Sequence, residues 1–127
     1  MLKAMGKTDI GNVREINQDD FNCGGLGDDA VFAVVCDGMG GENGGHIASR
    51  TASDIVTDSV TAAYGSGFGD NSIRGILQTA VTAANVSVFD RSQRDPNLRG
   101  MGTTIVAAIV SEGIAHVVHA GDSRAYH

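Results

Sequence analysis

Three carboxylates stand where a chain can present them to a ligand. Asp19, Asp37 and Asp122 each border a glycine or the end of a strand-forming run. Strand-end loops on a rigid scaffold are where sites concentrate. Asp37 is the most informative of the three. It closes the apolar run Ala33-Val34-Val35-Cys36 and opens the turn Gly38-Met39-Gly40-Gly41, which is rich in accessible main chain. A carboxylate delivered by a strand to such a turn suits a hard cation. Mg2+ and Mn2+ take oxygen ligands, commonly one or two carboxylates plus water and a substrate phosphate. Two such ions about 3.5–4 Å apart can activate a water and stabilise a leaving oxygen. Asp-Gly at 37–38 and Gly-Asp at 121–122 are also the composition of plain turns. The residues alone leave both readings open.

Arg14 is the candidate phosphate clamp, because a guanidinium offers paired donors that match phosphate oxygens. The glycines also permit a nucleotide reading, since Gly38-x-Gly40-x-x-x-Gly44 separates a strand pattern from a helix pattern. That spacing departs from G-x-G-x-x-G, no Gly-Lys follows, and Asp37 would set a negative charge beside a pyrophosphate. His116 and His119 lie three apart on a predicted strand, so alternation sends them to opposite faces. His46 is expected to face solvent. Ser49 and Ser123 lack the His and Asp partners that activate a nucleophile.

The composition sets limits on these readings. The chain has 127 residues and is 42% hydrophobic and 19% charged, which fits one globular domain with a real core. Eighteen glycines are about twice the average share of roughly 7%, so backbone geometry is demanding in several places. Aromatic residues make up only 5%, and the core must be built from Val, Ile, Leu and Ala. A formal charge of −6 argues against nucleic acid or an anionic membrane as partner. It also means that any phosphate must be held by a few arginines or by metal. Cys23 and Cys36 form no CxxC pair and no disulfide framework. Cys36 reads as a small core residue. With no signal-like segment and no apolar stretch near 18 residues, a cytoplasmic location is expected.

The elements that must position these residues follow from periodicity. Residues 3–10 read as an edge strand, 19–23 as a second strand and 30–36 as a buried strand too short for a helix. From residue 43 or 44, Ala48, Ala52, Ile55, Val56, Ser59 and Ala63 recur at helical spacing. A second helix follows, capped by Asp70, Asn71 or Ser72. It carries Ile73, Ile76, Leu77, Ala80, Val81, Ala84 and Val88 on one face and ends before Pro96. Residues 103–110 and 114–120 read as a hairpin, and a further strand begins at Arg124. Segregated strands and helices predict an α+β fold, an antiparallel sheet covered by a helix pair.

Four blocks taken together resemble the bacterial branch of the PPM-type (type-2C) metal-dependent Ser/Thr protein phosphatases. They are Asp9-Ile10-Gly11-Asn12-Val13-Arg14-x-x-Asn17-Gln18-Asp19, Asp37-Gly38-Met39-Gly40-Gly41-x-x-Gly44-Gly45, Gly100-Met101-Gly102-Thr103-Thr104 and Gly121-Asp122-Ser123-Arg124-Ala125-Tyr126. The resemblance implies an αββα sandwich of two antiparallel sheets flanked by helices. It implies that Asp37 bridges two Mn2+ or Mg2+ ions, with the Gly38 carbonyl as a further ligand. It gives Asp19 the role of holding metal-bound water, Arg14 that of binding the substrate phosphate, and Asp122 a share in a third, weaker metal. The implied reaction is attack of a metal-activated water on phosphoserine or phosphothreonine, opposing a Ser/Thr kinase. Glu42 stands where such proteins often carry His, and His46 where they often carry an acid. The family domain is roughly twice this long, so residues 1–127 are expected to be its N-terminal part. Weak or absent turnover and self-association through unpaired sheet edges are expected of this chain alone. A non-catalytic binding module on the same fold is the alternative.

Overall fold

The computed structural model describes residues 18–40 and 44–120. Its central strand is β2 (Ala30–Met39). β1 (Asp19–Gly25) pairs with one side of it and β4 (Ile105–Ser111) with the other, both antiparallel. β5 (Ile114–Ala120) pairs with β4, and the two-residue β3 (Gly102–Thr103) pairs with the last residues of β2. The order is therefore β1-β2-β4-β5. The sequence led us to expect β2 to end at Cys36, yet it runs on to Met39. Asp37 and Gly38 are bonded from both sides: the Gly38 N–H donates to the Gln18 carbonyl, and the Thr104 N–H donates to the Asp37 carbonyl, both at 2.9 Å. The hairpin after β4 turns through Glu112 (φ 53°) and Gly113 (φ 77°). Two consecutive left-handed residues make the tight turn whose twist matches its strands.

The helices α1 (Gly44–Ala63) and α2 (Asp70–Arg94) cover one face of this sheet. α1 buries Ala48, Ala52, Val56 and Val60, one residue per turn, and the alanines let it lie close to the strands. Ala63, expected on the inner face, is exposed because the helix ends there. α2 buries Ile73, Leu77, Ala80, Ala84 and Val88. Both helices join a core with Phe32, Val34 and Cys36 of β2 and Ile105, Ala107 and Ile109 of β4. The start of α2 departs from expectation: Gly69 takes the cap position without a side-chain bond, and Asp70 is the first helical residue. The Asp70 carboxylate instead accepts a hydrogen bond at 2.9 Å from Nε2 of the buried His116 on β5. His119 of β5 is exposed, on the opposite face as alternation required.

The other face of β2 carries Ala33, Val35, Asp37 and Met39, all exposed. Val35 is 50% exposed, and Val117 of β5, on the same face, is 45% exposed. The described residues thus build one sheet and one helix layer, an α+β arrangement. The second sheet implied by the resemblance is not among them, and the strands read at 3–10 and from Arg124 lie outside the described residues. Among the described residues, no helix is long and apolar enough to cross a membrane. Leu77 is fully buried between α2 and the sheet. Leu77→Ala should lower stability by about 2–5 kcal/mol, read as a shift in the urea midpoint.

Candidate metal centre

The register between β1 and β2 decides where the carboxylates go. Asp19 stands directly opposite Asp37. The neighbouring pair is joined by the bond from Gly38 N–H to the Gln18 carbonyl. In an antiparallel ladder, bonded and non-bonded pairs alternate, so Asp19 and Asp37 form a non-bonded pair, whose Cα atoms approach to about 4.5 Å. Both side chains project from the same, open face at the end of the sheet. Like charges placed directly opposite are destabilising. A divalent cation in reach of both would reverse the sign of that contribution.

Asp37 is held from its other edge. Its N–H donates to Thr104 Oγ1 at 3.1 Å, and its carbonyl accepts from the Thr104 N–H. The following residue must be glycine, because a Cβ on Gly38 would collide with the carbonyl oxygen of Gly45 in the first turn of α1. Gly45 is equally constrained: a Cβ there would lie 2.7 Å from the Gln18 side chain and 2.9 Å from the Gly38 carbonyl carbon. The Gln18 side-chain amide also donates to the Gly40 carbonyl at 3.3 Å. Gly38, Gly45 and Gln18 therefore hold the end of β2, the residue preceding β1 and the start of α1 against one another. The start of α1 brings about half a positive charge of helix dipole to that end of the sheet, which favours anionic groups.

Cys36 lies beneath this arrangement. Burial pushes its thiol from an ordinary 9.0 up to about 12; the charge of Asp20 adds to the rise, and a hydrogen bond with the Thr103 side chain opposes it. Cys36 is therefore a neutral core thiol, unsuited to ligate metal or act as a nucleophile. His46 corrects the expectation that it faces solvent. It is half-buried, with Nδ1 enclosed and without a hydrogen-bond partner among the described residues. Ser49 is buried and donates to the His46 carbonyl at 3.1 Å.

The fold thus brings Asp19, Asp37 and the Gly38 main chain together. Arg14 and Asp122 lie outside the described residues, as does Glu42. Among the described residues no three His, Cys, Asp or Glu side chains converge as a complete metal site would. The two carboxylates and the glycine main chain offer the oxygen donors that Mn2+ or Mg2+ prefers, as part of a ligand set. Gln18 and Thr104 received no role from sequence reasoning. Their roles follow from cross-strand register, which the hydrophobic pattern and the turns set jointly and which a single residue does not reveal.

Residues 11–127 match the family described as Protein phosphatase 2C. The serine/threonine phosphatase stp of Listeria monocytogenes is 32% identical over 128 residues, covering 98% of this chain and 49% of that protein. The crystal structure of the Streptococcus agalactiae serine/threonine phosphatase superposes with a TM-score of 0.77 at 32% identity, over 91% of this chain and 47% of that one. The Mycobacterium tuberculosis phosphatase PstP/Ppp superposes with a TM-score of 0.73 at 32% identity, over 91% of this chain and 45% of that one. The chain spans about half the length of these relatives.

Gly45→Ala sets two effects against each other. Alanine gains about 1 kcal/mol of helix propensity, while overpacking against fixed backbone costs about 1–3 kcal/mol. The clash involves main chain and should win, lowering the urea midpoint. Gly75→Ala in α2, where a Cβ meets nothing within 4 Å, should instead raise it by up to about 1 kcal/mol. Cys36 makes stability depend on pH. Its folded pKa lies above its unfolded value, so its contribution to stability is intact below pH 9.0 and is lost as pH rises toward about 12. Iodoacetamide should modify Cys23 in the native protein and reach Cys36 only on unfolding, read by peptide mass spectrometry.

Proposed function

The chain belongs to the protein phosphatase 2C family, and from that premise we propose that it is the N-terminal part of a metal-dependent phosphatase domain acting on phosphoserine and phosphothreonine in proteins. The observation that carries the proposal is the opposition of Asp19 and Asp37 across β1 and β2, beside the glycine turn. In this reading Asp37 and the Gly38 carbonyl are the chain's donors to two Mn2+ or Mg2+ ions. When bound, the ions would supply an activated water and neutralise charge on the phosphate. Asp19, one strand away, orients water at that edge by accepting its hydrogen bonds. Arg14 takes the phosphate oxygens through its paired donors, and Asp122 contributes to a third, weaker metal.

The substrate is a phosphorylated protein, and the activity opposes a Ser/Thr kinase. By itself the chain contributes too few carboxylates to hold two divalent ions tightly, so its own turnover is weak or absent. β5 is an edge strand of the described sheet, and pairing with another copy through such an edge is part of the proposal. Isothermal titration with Mn2+ tests the site: heat of binding is expected from the wild type and not from Asp37→Asn. Absence of heat from the wild type would favour a binding module without metal chemistry. Robust Mn2+-dependent hydrolysis of p-nitrophenyl phosphate, lost in Asp37→Ala, would overturn the claim that this chain alone is nearly inactive.

A further inference from the structure

We infer that Thr104 is the positioning residue for Asp37, and that it works by lending its hydroxyl to the sheet in place of its own carbonyl. β3 and β4 share one register with β2, since Gly38 pairs with Thr103 and Val35 with Val106. Thr104 therefore stands opposite Asp37. A regular ladder would join the two residues by a reciprocal pair of main-chain bonds. One of these is present, from Thr104 N–H to the Asp37 carbonyl at 2.9 Å. In the other, the Asp37 N–H goes to Thr104 Oγ1 at 3.1 Å instead of to the Thr104 carbonyl. That carbonyl is turned aside and accepts from the Thr103 hydroxyl at 2.8 Å. The strand is interrupted at this residue, between β3 and β4.

The exchange has a mechanical consequence. A main-chain acceptor is available from any residue, but this one can come only from a side chain of Thr or Ser length. Thr104 is 3% exposed, so its hydroxyl is held in place by packing. It also lies 3.4 Å from the Asp37 carbonyl, close to both polar groups of that peptide segment. Thr103 braces the same region, bonding Thr104 on one side and the Cys36 thiol on the other. The Thr104 hydroxyl thus helps to set the direction in which Asp37 presents its carboxylate, acting through the Asp37 main chain. A valine at this position would keep the shape and leave the Asp37 N–H without its acceptor.

This inference rests on the reading of Asp37 as a metal donor, and the test separates the two. The full chain is titrated with Mn2+ as wild type, Thr104→Val, Thr104→Ser and Asp37→Asn, and amide exchange at Asp37 is followed by NMR. Thr104→Val should weaken Mn2+ binding by about 10-fold or more, in the range expected for loss of a supporting hydrogen bond, and should speed exchange of the Asp37 amide. Thr104→Ser should restore both. If Asp37→Asn abolishes binding while Thr104→Val matches the wild type in affinity and exchange, the role assigned to Thr104 is overturned and the metal reading stands. A serine variant as impaired as the valine variant would also overturn it, since a packing role would then suffice. Absence of Mn2+ binding by the wild type would overturn both.

Discussion

Two carboxylates are held face to face by strand register, and the rest of the candidate site is arranged around that constraint. Asp19 and Asp37 cannot move apart without breaking the ladder on either side of them. Gly38 is tied to Gln18, and Asp37 is tied to Thr104. Like charges at this spacing oppose folding. The fold nevertheless places them at the end of its central strand, beside the start of α1. The glycines serve this geometry. Gly38 and Gly45 let a helix start come into contact with a strand end, which no side chain at either position would allow. The position of the pair is thus a product of main-chain hydrogen bonds and close packing, the two least adjustable features of a folded chain.

How much of this was legible in the sequence depended on the range of each interaction. Asp37 could be singled out because its chemistry is local: an apolar run, one carboxylate, then glycines. The two helices were readable from spacing: Ala48 and Ala52 of α1 and Ile73, Leu77, Ala80, Ala84 and Val88 of α2 took the buried positions their periodicity assigned, while Ala63 at the end of α1 did not. Local residues did not reveal that β2 continues to Met39, because the bonds that extend it come from Gln18 and Thr104. The start of α2 was misread for a related reason. Asp70 has the chemistry of a cap, but His116, 46 residues away, claims its carboxylate. His46 was misplaced because its enclosure depends on tertiary packing. Asp19 and Asp122 were singled out with Asp37 by their setting, which left a plain turn equally open, and their particular roles came from the resemblance; the register places Asp19 opposite Asp37.

The chain spans about half the length of the relatives it matches, and the described architecture is correspondingly one-sided. One face of the sheet is sealed by α1 and α2 through a core that extends from Leu26 to Ile109. The other presents Ala33, Val35 and Val117 and carries the carboxylates at one end. The strand order follows from the main-chain pairing, and the carboxylates lie on the face opposite the helix layer, with only the start of α1 reaching their end of the sheet.

That the carboxylates and the exposed valines share a face joins two equilibria. Whatever buries Val35, two residues from Asp37 on the same face, comes close to Asp19 and Asp37 and would draw the pair out of water as it did so. Enclosure would strengthen the attraction of two carboxylates for a cation. Cation binding and closure of the sheet would then be thermodynamically linked, each increasing the affinity of the other by the same factor. A centre built in this way would hold metal loosely while its sheet is open and tightly once it is covered.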